Sequence, residues 1–428
     1  MNLRDLIARA RAGGHLVEID LPTDPNLEMA RVILRYDGRP VLFNAVSDYP
    51  GWRVLAGLAS AREYFALALG VPVGELIHAL VAALEQPAAP EIVTEAPCQE
   101  VVEHDVDLGR LPILRHFPFD GGPYITAGIL VANDPDYGRN LSFHRLLRLD
   151  ARRLAARVVE RRGTHTALLK SAGDLPVAIC IGNSLPILLA ASMSPPAGVD
   201  ELAIANALAP VPAVPCKTVP LQVPADCELV LEGRLTHTTA PEGPFVDLTE
   251  TIDFVRPGPV VEVDCITHRQ DPTYQALLPG KLEHKLLMGM PKEPTIFAAV
   301  NQVCRCTNAV ITPGGASWLH AVVQIDKRSP QDGWAAIEAA FRGHGSLKHV
   351  VVVDTDVNPY DPAEVEWAIA TRFQADRDLL VLSEQPGSSL DPSGTHQPGQ
   401  KAITAKMGLD ATVPWGAEPS AFQRVRYD

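Results

Sequence analysis

The residues best suited to chemistry lie in two short stretches of the 428-residue chain. The first is Gly138-Arg139-Asn140-Leu141-Ser142-Phe143-His144-Arg145, which runs into the apolar segment Leu146 to Leu149. Side chains alternate faces along a strand, so Asn140, Ser142 and His144 share one face and Arg139 and Arg145 point to the other. A strand this polar can serve a ligand, and the same pattern suits a solvated edge strand. The second stretch is Pro241-Glu242-Gly243-Pro244-Phe245-Val246-Asp247. Two carboxylates held apart by a stiff Gly-Pro turn suit acid–base work, because one can pair with a cation while the other carries a proton. An ordinary acidic turn is the alternative.

Other candidates say less on their own. His165 precedes the apolar run Ala167 to Leu169, and Glu201 heads a helix, where the dipole favours a carboxylate without any ligand role. Leu282-Glu283-His284-Lys285 and the lone Lys348 add titratable groups without a pattern. No Walker A loop, Rossmann glycine fingerprint, HExxH or GxSxG occurs, so the usual nucleotide, zincin and serine-hydrolase motifs lend no support.

The elements that must position these residues fall into three textures, in keeping with roughly three domains for this length. Residues 1–97 alternate short helices (Leu3 to Ala12, Ala61 to Leu69, Val73 to Leu84) with apolar runs, and end in the proline-rich stretch from Gln86 to Pro97. Residues 98–305 read as β-rich: Ile125 to Val131, Leu141 to Leu149, Pro176 to Ile181, Cys227 to Leu235 and Val260 to Thr267 as strands, with helices at Ala151 to Arg161 and Glu201 to Leu208. Such a set predicts a barrel or sandwich rather than a doubly wound sheet. Residues 306–428 read as β-α-β-α-β, with strands at Ser317 to Ile325, Lys348 to Asp354 and Asp378 to Ser383. The second helix of that unit opens with Asp361 at the cap, Pro362 next and Glu364 behind it.

Composition bounds the partners. Apolar residues make up 46% of the chain and charged residues 21%, enough to build a core and to exclude global disorder. A net charge of −14 argues against a nucleic-acid or anionic-membrane surface, though a local basic pocket stays open. The seven cysteines are odd in number, scattered and without a CxxC, which predicts free thiols in a reducing, cytoplasmic setting. Met1 to Gly14 lacks the apolar core of a signal peptide, and Gly182, Asn183, Ser184 and Pro186 interrupt the longest apolar stretch.

In this order the residues resemble the UbiD-like family of reversible decarboxylases that use prenylated FMN. The resemblance runs through Gly122-Pro-Tyr-Ile-Thr-Ala-Gly128, Arg139-Asn140 to Arg145, Cys216-Lys217, Val223-Pro224-Ala to Glu232-Gly233 and Pro241-Glu242-Gly-Pro-Phe245. It continues through Gln275-Ala-Leu-Leu-Pro-Gly280, Glu366-Trp-Ala-Ile-Ala-Thr-Arg372 and Met407-Gly-Leu-Asp-Ala-Thr412. The implied architecture is mixed α/β: an N-terminal α/β lobe, a central split β-barrel that binds the flavin, and a C-terminal α/β assembly domain. The implied reaction is non-oxidative decarboxylation of an aromatic, heteroaromatic or α,β-unsaturated acid through a covalent prenylated-FMN adduct. Family members include decarboxylases of a phosphorylated isoprenoid-pathway acid and subunits of multi-subunit carboxylases, so both stand as alternatives.

Residue by residue, the resemblance implies catalytic roles for Arg145, Glu242 and Asp247. Arg145 would hold the substrate carboxylate and pair with Glu242, and Asp247 would protonate the carbon that has lost CO2. Asp247 must be neutral when it delivers that proton, which burial near Glu242 would favour. The implied metal ligands are Asn140, His165 and Glu201, a donor set that suits Mn²⁺. The implied cofactor contacts are Asn140, Ser142, Phe143, His144, Arg145, Thr164, His165, Glu201 and Lys348. The resemblance further implies K⁺ as an optional ion, a flavin prenyltransferase as cofactor supplier, and a homo-oligomer, dimer or hexamer. One departure stands out: the family often has glycine where this chain has Val246, and a β-branched residue disfavours positive φ in the turn carrying Asp247.

Overall fold

The protein is described by a computed structural model over residues 1–397 and 400–425. It forms two compact units, Met1–Leu287 and Met288–Asp428, where sequence texture suggests three segments dividing at 97/98 and 305/306. One cause is visible in the sheet of the N-terminal region, ordered Val17–Ile19, Val41–Phe43, Arg53–Ala56 and Thr273–Gln275. Its last strand comes from far along the chain and runs parallel to Arg53–Ala56, so the N-terminal lobe is completed by a strand from within the segment 98–305. The helix Leu3–Ala12 opens with a capping box between Asn2 and Asp5 and buries Leu3, Leu6, Ile7 and Ala10.

The larger sheet of this unit has nine strands. Its path begins at Tyr124–Ile125 and ends at Gly138–Phe143, with no ladder among the described residues joining those two ends, so the barrel is open at that seam. The spine is the antiparallel pair Leu229–Glu242 and Arg256–His268, running from Leu229 opposite His268 to Glu242 opposite Arg256 with register shifts between Glu232 and Gly233 and between Leu235 and Thr239. Apolar residues of these strands (Leu229, Leu231, Leu235, Val261, Val263) join Leu130, Val177 and Ile179 in one core. Glu242 therefore stands at the end of a long, well-anchored strand.

One predicted helix is corrected. Ala151 to Arg161 contains the strand Arg153–Ala156, paired with Leu146–Arg148 and with Val260 to Glu262, and the helix begins only at Gly163 (Gly163–Lys170). The alanines favour a helix locally, but two ladders on either side override that preference. The consequence is functional, since Thr164 and His165 enter the first turn of the displaced helix.

The second unit holds a five-stranded sheet ordered Arg305–Ile311, His320–Asp326, His349–Asp354, Ile403–Asp410 and Leu379–Pro386. Helices Asp332–Gly343 and Pro362–Arg372 connect its strands, the latter capped by Asp361 accepting from the Ala363 amide. The third parallel strand is Ile403–Asp410, not the predicted Asp378 to Ser383 segment. That segment forms the antiparallel edge strand Leu379–Pro386, whose residues stay half-buried or exposed. All seven cysteines are unpaired, and five of them are buried. Among the described residues no single helix is long and apolar enough to cross a membrane.

Candidate active site

The strand Gly138–Phe143 lies at one end of the larger sheet and pairs with Ile129–Asp134. Its polar residues do divide by face. Ser142 Oγ donates to Asn140 Oδ1 at 3.3 Å and lies 3.0 Å from His144 Nε2, so these three share one side. Arg139 instead forks onto Asp200, the residue that caps the helix Glu201–Leu208.

Arg145 follows the strand and builds the first of two clusters. Its Nε and Nη2 donate to the two oxygens of Glu242 at 2.8 and 2.9 Å, a fork-to-carboxylate pair, and Nη2 also reaches Asp253 Oδ2 at 2.8 Å. The third edge, Nη1, lies 3.6 Å from Asp247 Oδ2, beyond a good hydrogen bond. Phe245 lays its ring under the guanidinium, 4.7 Å from centroid to carbon. Glu242 is fully buried, and Tyr124 steadies it: the phenol donates to Glu242 Oε1 at 3.3 Å and accepts from the Gly243 amide at 3.0 Å. Burial works against the charge on Arg145, but the Glu242 bond and the neighbouring Asp253 and Asp247 carboxylates outweigh it and push its pKa further up.

The turn between the acids explains why valine is tolerated. Phe245–Val246 pairs with Ile252–Asp253, so Val246 is a strand residue and does not adopt positive φ. The positive φ values fall at Gly243 (110°) and Glu250 (61°). Gly243 has no alternative, because a Cβ there would sit 2.9 Å from the Phe254 carbonyl oxygen. Asp247 is less enclosed than the burial expected for it: its side chain is 27% exposed, and Oδ1 accepts from the Leu248 amide at 2.6 Å.

The second cluster gathers around Asn140, Ser142 and His144. Glu201, buried at the first turn of its helix, accepts from the Leu141 amide at 3.0 Å and from Asn140 Nδ2 at 3.1 Å. No cationic side chain pairs with it among the described residues, and burial pushes its pKa up to about 7. His144 Nδ1 lies 2.9 Å from the Arg157 carbonyl oxygen, which can only accept, so Nδ1 carries the proton. Nε2 then accepts from Thr164 Oγ1 at 3.0 Å, since the Ser142 hydroxyl proton goes to Asn140, and burial keeps the ring neutral by lowering its pKa. Phe143 is half-buried opposite Ile129 in the ladder. His165 Nδ1 accepts from the Arg161 amide at 3.4 Å, and no hydrogen bond joins His165 to Asn140 or Glu201. Lys348 belongs to the second unit, where its ammonium bonds Asp391 and Ser393.

These donors fit the groups that the resemblance implies. A buried carboxylate without a cation, an amide that presents its oxygen when flipped, and an imidazole on the adjoining helix suit a hard divalent ion such as Mn²⁺. Arg157 adds a feature that sequence patterning missed. Burial lowers its pKa, as do Arg256 and Arg145 nearby, and no carboxylate hydrogen-bonds it among the described residues. Such a guanidinium suits the phosphate of a flavin nucleotide. Tyr124 and Asp253 were also missed: Tyr124 lies in a glycine-proline segment, and Asp253 meets Arg145 only through the two-residue ladder beyond Asp247.

Comparison with known proteins gives this arrangement its family. Residues 7–84, 91–282 and 285–411 match the N-terminal, Rift-related and C-terminal domains of the 3-octaprenyl-4-hydroxybenzoate carboxy-lyase (UbiD) family. The chain belongs to the UbiD family. It is 44% identical over 417 residues to an anhydromevalonate phosphate decarboxylase from Methanosarcina mazei, covering 96% of both chains. A second such enzyme, from Methanothermobacter thermautotrophicus, is 44% identical over 387 residues, with 89% of each covered. Among solved structures, the UbiD-class enzyme HmfF from Pelotomaculum thermopropionicum in complex with FMN superposes with a TM-score of 0.94. It is 39% identical and covers 99% of this chain and 97% of its own. An evolved dimeric form of HmfF in complex with prFMN gives a TM-score of 0.91 at 38% identity, with 100% and 97% covered. The chain is therefore a UbiD-family decarboxylase, a carboxy-lyase of mixed α/β fold.

Proposed function

We propose that the chain decarboxylates a phosphorylated α,β-unsaturated acid of the anhydromevalonate phosphate kind, with prenylated FMN as cofactor and Mn²⁺ held by Asn140, His165 and Glu201. The carrying observation is the uncommitted Nη1 edge of Arg145, which faces Asp247 Oδ2 at 3.6 Å while the other nitrogens are held by Glu242 and Asp253. A substrate carboxylate bound to Nη1 stands beside the acid that must supply the proton. Glu242 and Asp253 fix the guanidinium plane, so the carboxylate is oriented before reaction rather than during it. Prenylated FMN, when bound, supplies the electron sink that loss of CO2 from an sp² carbon requires. As the C–CO2 bond breaks and CO2 departs, protonated Asp247 gives its proton to the same carbon and then regains one from solvent. Asn140, Ser142, His144, Thr164, Arg157 and the metal ligands hold the cofactor by its phosphate end in this reading. The identity of the curated relatives supports the substrate class.

The test is direct. Protein co-expressed with a flavin prenyltransferase should release CO2 from anhydromevalonate phosphate, and Asp247→Asn should lower kcat by about 10²–10⁴-fold while cofactor absorbance is retained. Undiminished turnover by that variant would remove Asp247 from the proton-transfer role.

A further inference from the structure

Beside the Arg145 cluster lies a pair of lysines that the mechanism does not use. Lys281 and Lys285, one helical turn apart at the start of Leu282–Gly289, both place their ammonium groups on the carboxylate of Glu250, each at 2.5 Å. Their exposures run opposite to the usual surface pair. The cations are mostly covered, 25% and 15% exposed, while Glu250 is 44% exposed. An ammonium held in place by its surroundings, with its counter-charge on an open and flexible side chain, is set up for exchange of that counter-charge. A second carboxylate, Asp37, lies within Coulomb range of both ammoniums but bonds the Leu282 amide at the helix start, so Glu250 is the carboxylate that both lysines touch.

The position of the cluster ties it to the reacting centre. Glu250 belongs to the turn of Asp247, its amide donating to the Asp247 carbonyl at 2.9 Å. It holds φ of 61°, a left-handed region that strains a non-glycine residue. Gly280 packs this turn against the lysines: a Cβ there would approach Glu250 Cγ at 3.1 Å and the Asp247 carbonyl at 3.2 Å. His284, between the two lysines in sequence, accepts from the Gly280 amide through Nδ1 at 3.0 Å. In the neutral ring that leaves Nε2–H as a donor, and burial keeps the ring neutral by lowering its pKa.

We propose that Lys281 and Lys285 form the subsite for the substrate's phosphate, with the Glu250 carboxylate standing in for it until substrate binds. This rests on the phosphorylated-acid reading above and names the residues that would enforce it. A phosphate dianion carries more charge than the Glu250 carboxylate it would replace and can accept from both ammoniums, and its arrival releases the Glu250 side chain to solvent. The substrate is then held at both ends, by Arg145 at the carboxylate and by the lysine pair at the phosphate, across the turn that carries Asp247.

The experiment uses the cofactor-loaded enzyme, the phosphorylated acid and its dephosphorylated hydroxy-acid analogue. Lys281→Gln with Lys285→Gln should raise KM for the phosphorylated acid by about 30-fold or more, the loss of one to two charge-assisted bonds, with kcat little changed and the hydroxy acid unaffected. Glu250→Gln should lower KM for the phosphorylated acid. Equal losses on both acids, a KM within twofold of wild type, or a Glu250→Gln defect as large as that of the lysines would each overturn the subsite. Inorganic phosphate titrated into the FMN-loaded protein gives a readout without turnover: a thermal shift in the wild type that the lysine variants lose supports the subsite, and an unchanged shift refutes it. If the wild type shows the lysine-dependent shift but turns over no phosphorylated acid, the substrate reading fails while the anion subsite stands.

Discussion

Two clusters fed from residues 139–145 serve opposite electrostatic ends. At Arg145, one guanidinium faces three carboxylates, Glu242, Asp253 and Asp247, and the cluster is bonded internally before any ligand arrives. At Asn140, a buried carboxylate, Glu201, has amide donors and, among the described residues, no cationic partner. The first cluster is a pre-set clamp with one free edge. The second has the donors for a divalent ion and lacks the charge. Arg145 feeds the first from just beyond the strand's end, and Asn140 feeds the second from within it.

The largest effect should come from breaking the clamp. Arg145→Ala leaves Glu242 buried and unpaired, which costs about 3–5 kcal/mol in a urea melt and abolishes decarboxylation. Arg145→Lys should rescue stability only in part, because an ammonium cannot fork onto Glu242 while also reaching Asp253. Wild-type stability in the alanine variant would show that the clamp is not preorganised.

The second cluster should respond to metal where the first does not. Mn²⁺ should raise the melting temperature of the cofactor-free wild type, and Glu201→Gln should remove that gain while leaving the Arg145 clamp intact. An equal Mn²⁺ response in Glu201→Gln would place the ion elsewhere and dissolve the contrast.

The smallest effect separates a structural lone carboxylate from a ligand-seeking one. Glu283 is also buried and also raised, from the ordinary 4.5 to about 7, but its oxygens accept from the Gly57 and Ala59 amides at 2.7 and 3.0 Å. Because the folded protein holds this proton more tightly than the unfolded chain, Glu283 favours folding most below pH 4.5. That contribution is lost as pH rises through 7, up to on the order of 3 kcal/mol. Glu283→Gln should flatten the urea midpoint between pH 5 and 7 and leave the Mn²⁺ response unchanged.

Much of this was legible in the residues, and the illegible parts share a cause. The shared side of Asn140, Ser142 and His144 and the cap at Asp361 follow from local periodicity and turn chemistry, and the structure reproduces them, whereas the strand expected over Cys227 to Leu235 runs on to Glu242. The helix expected at Ala151 to Arg161 failed because its strand is held between a neighbouring strand, Leu146–Arg148, and one about a hundred positions away. The third strand of the second unit was misplaced for a related reason: Leu379–Pro386 has an apolar run, and only the sheet order shows it at the edge. Arg157 and Asp253 carried no sequence signal, since neither lies in a pattern and each gains meaning from charges brought near it.

By itself the sequence determined the inventory: a polar strand with an arginine at its end, two acids across a glycine-proline turn, a family of ordered motifs and a core large enough to bury them. Tertiary structure decided the pairings. Hydrogen bonding and Coulomb interaction act over a few ångströms of space and take no account of chain separation, so only the fold could give Arg145 to Glu242, leave Glu201 without a cation and set two lysines on the turn of Asp247.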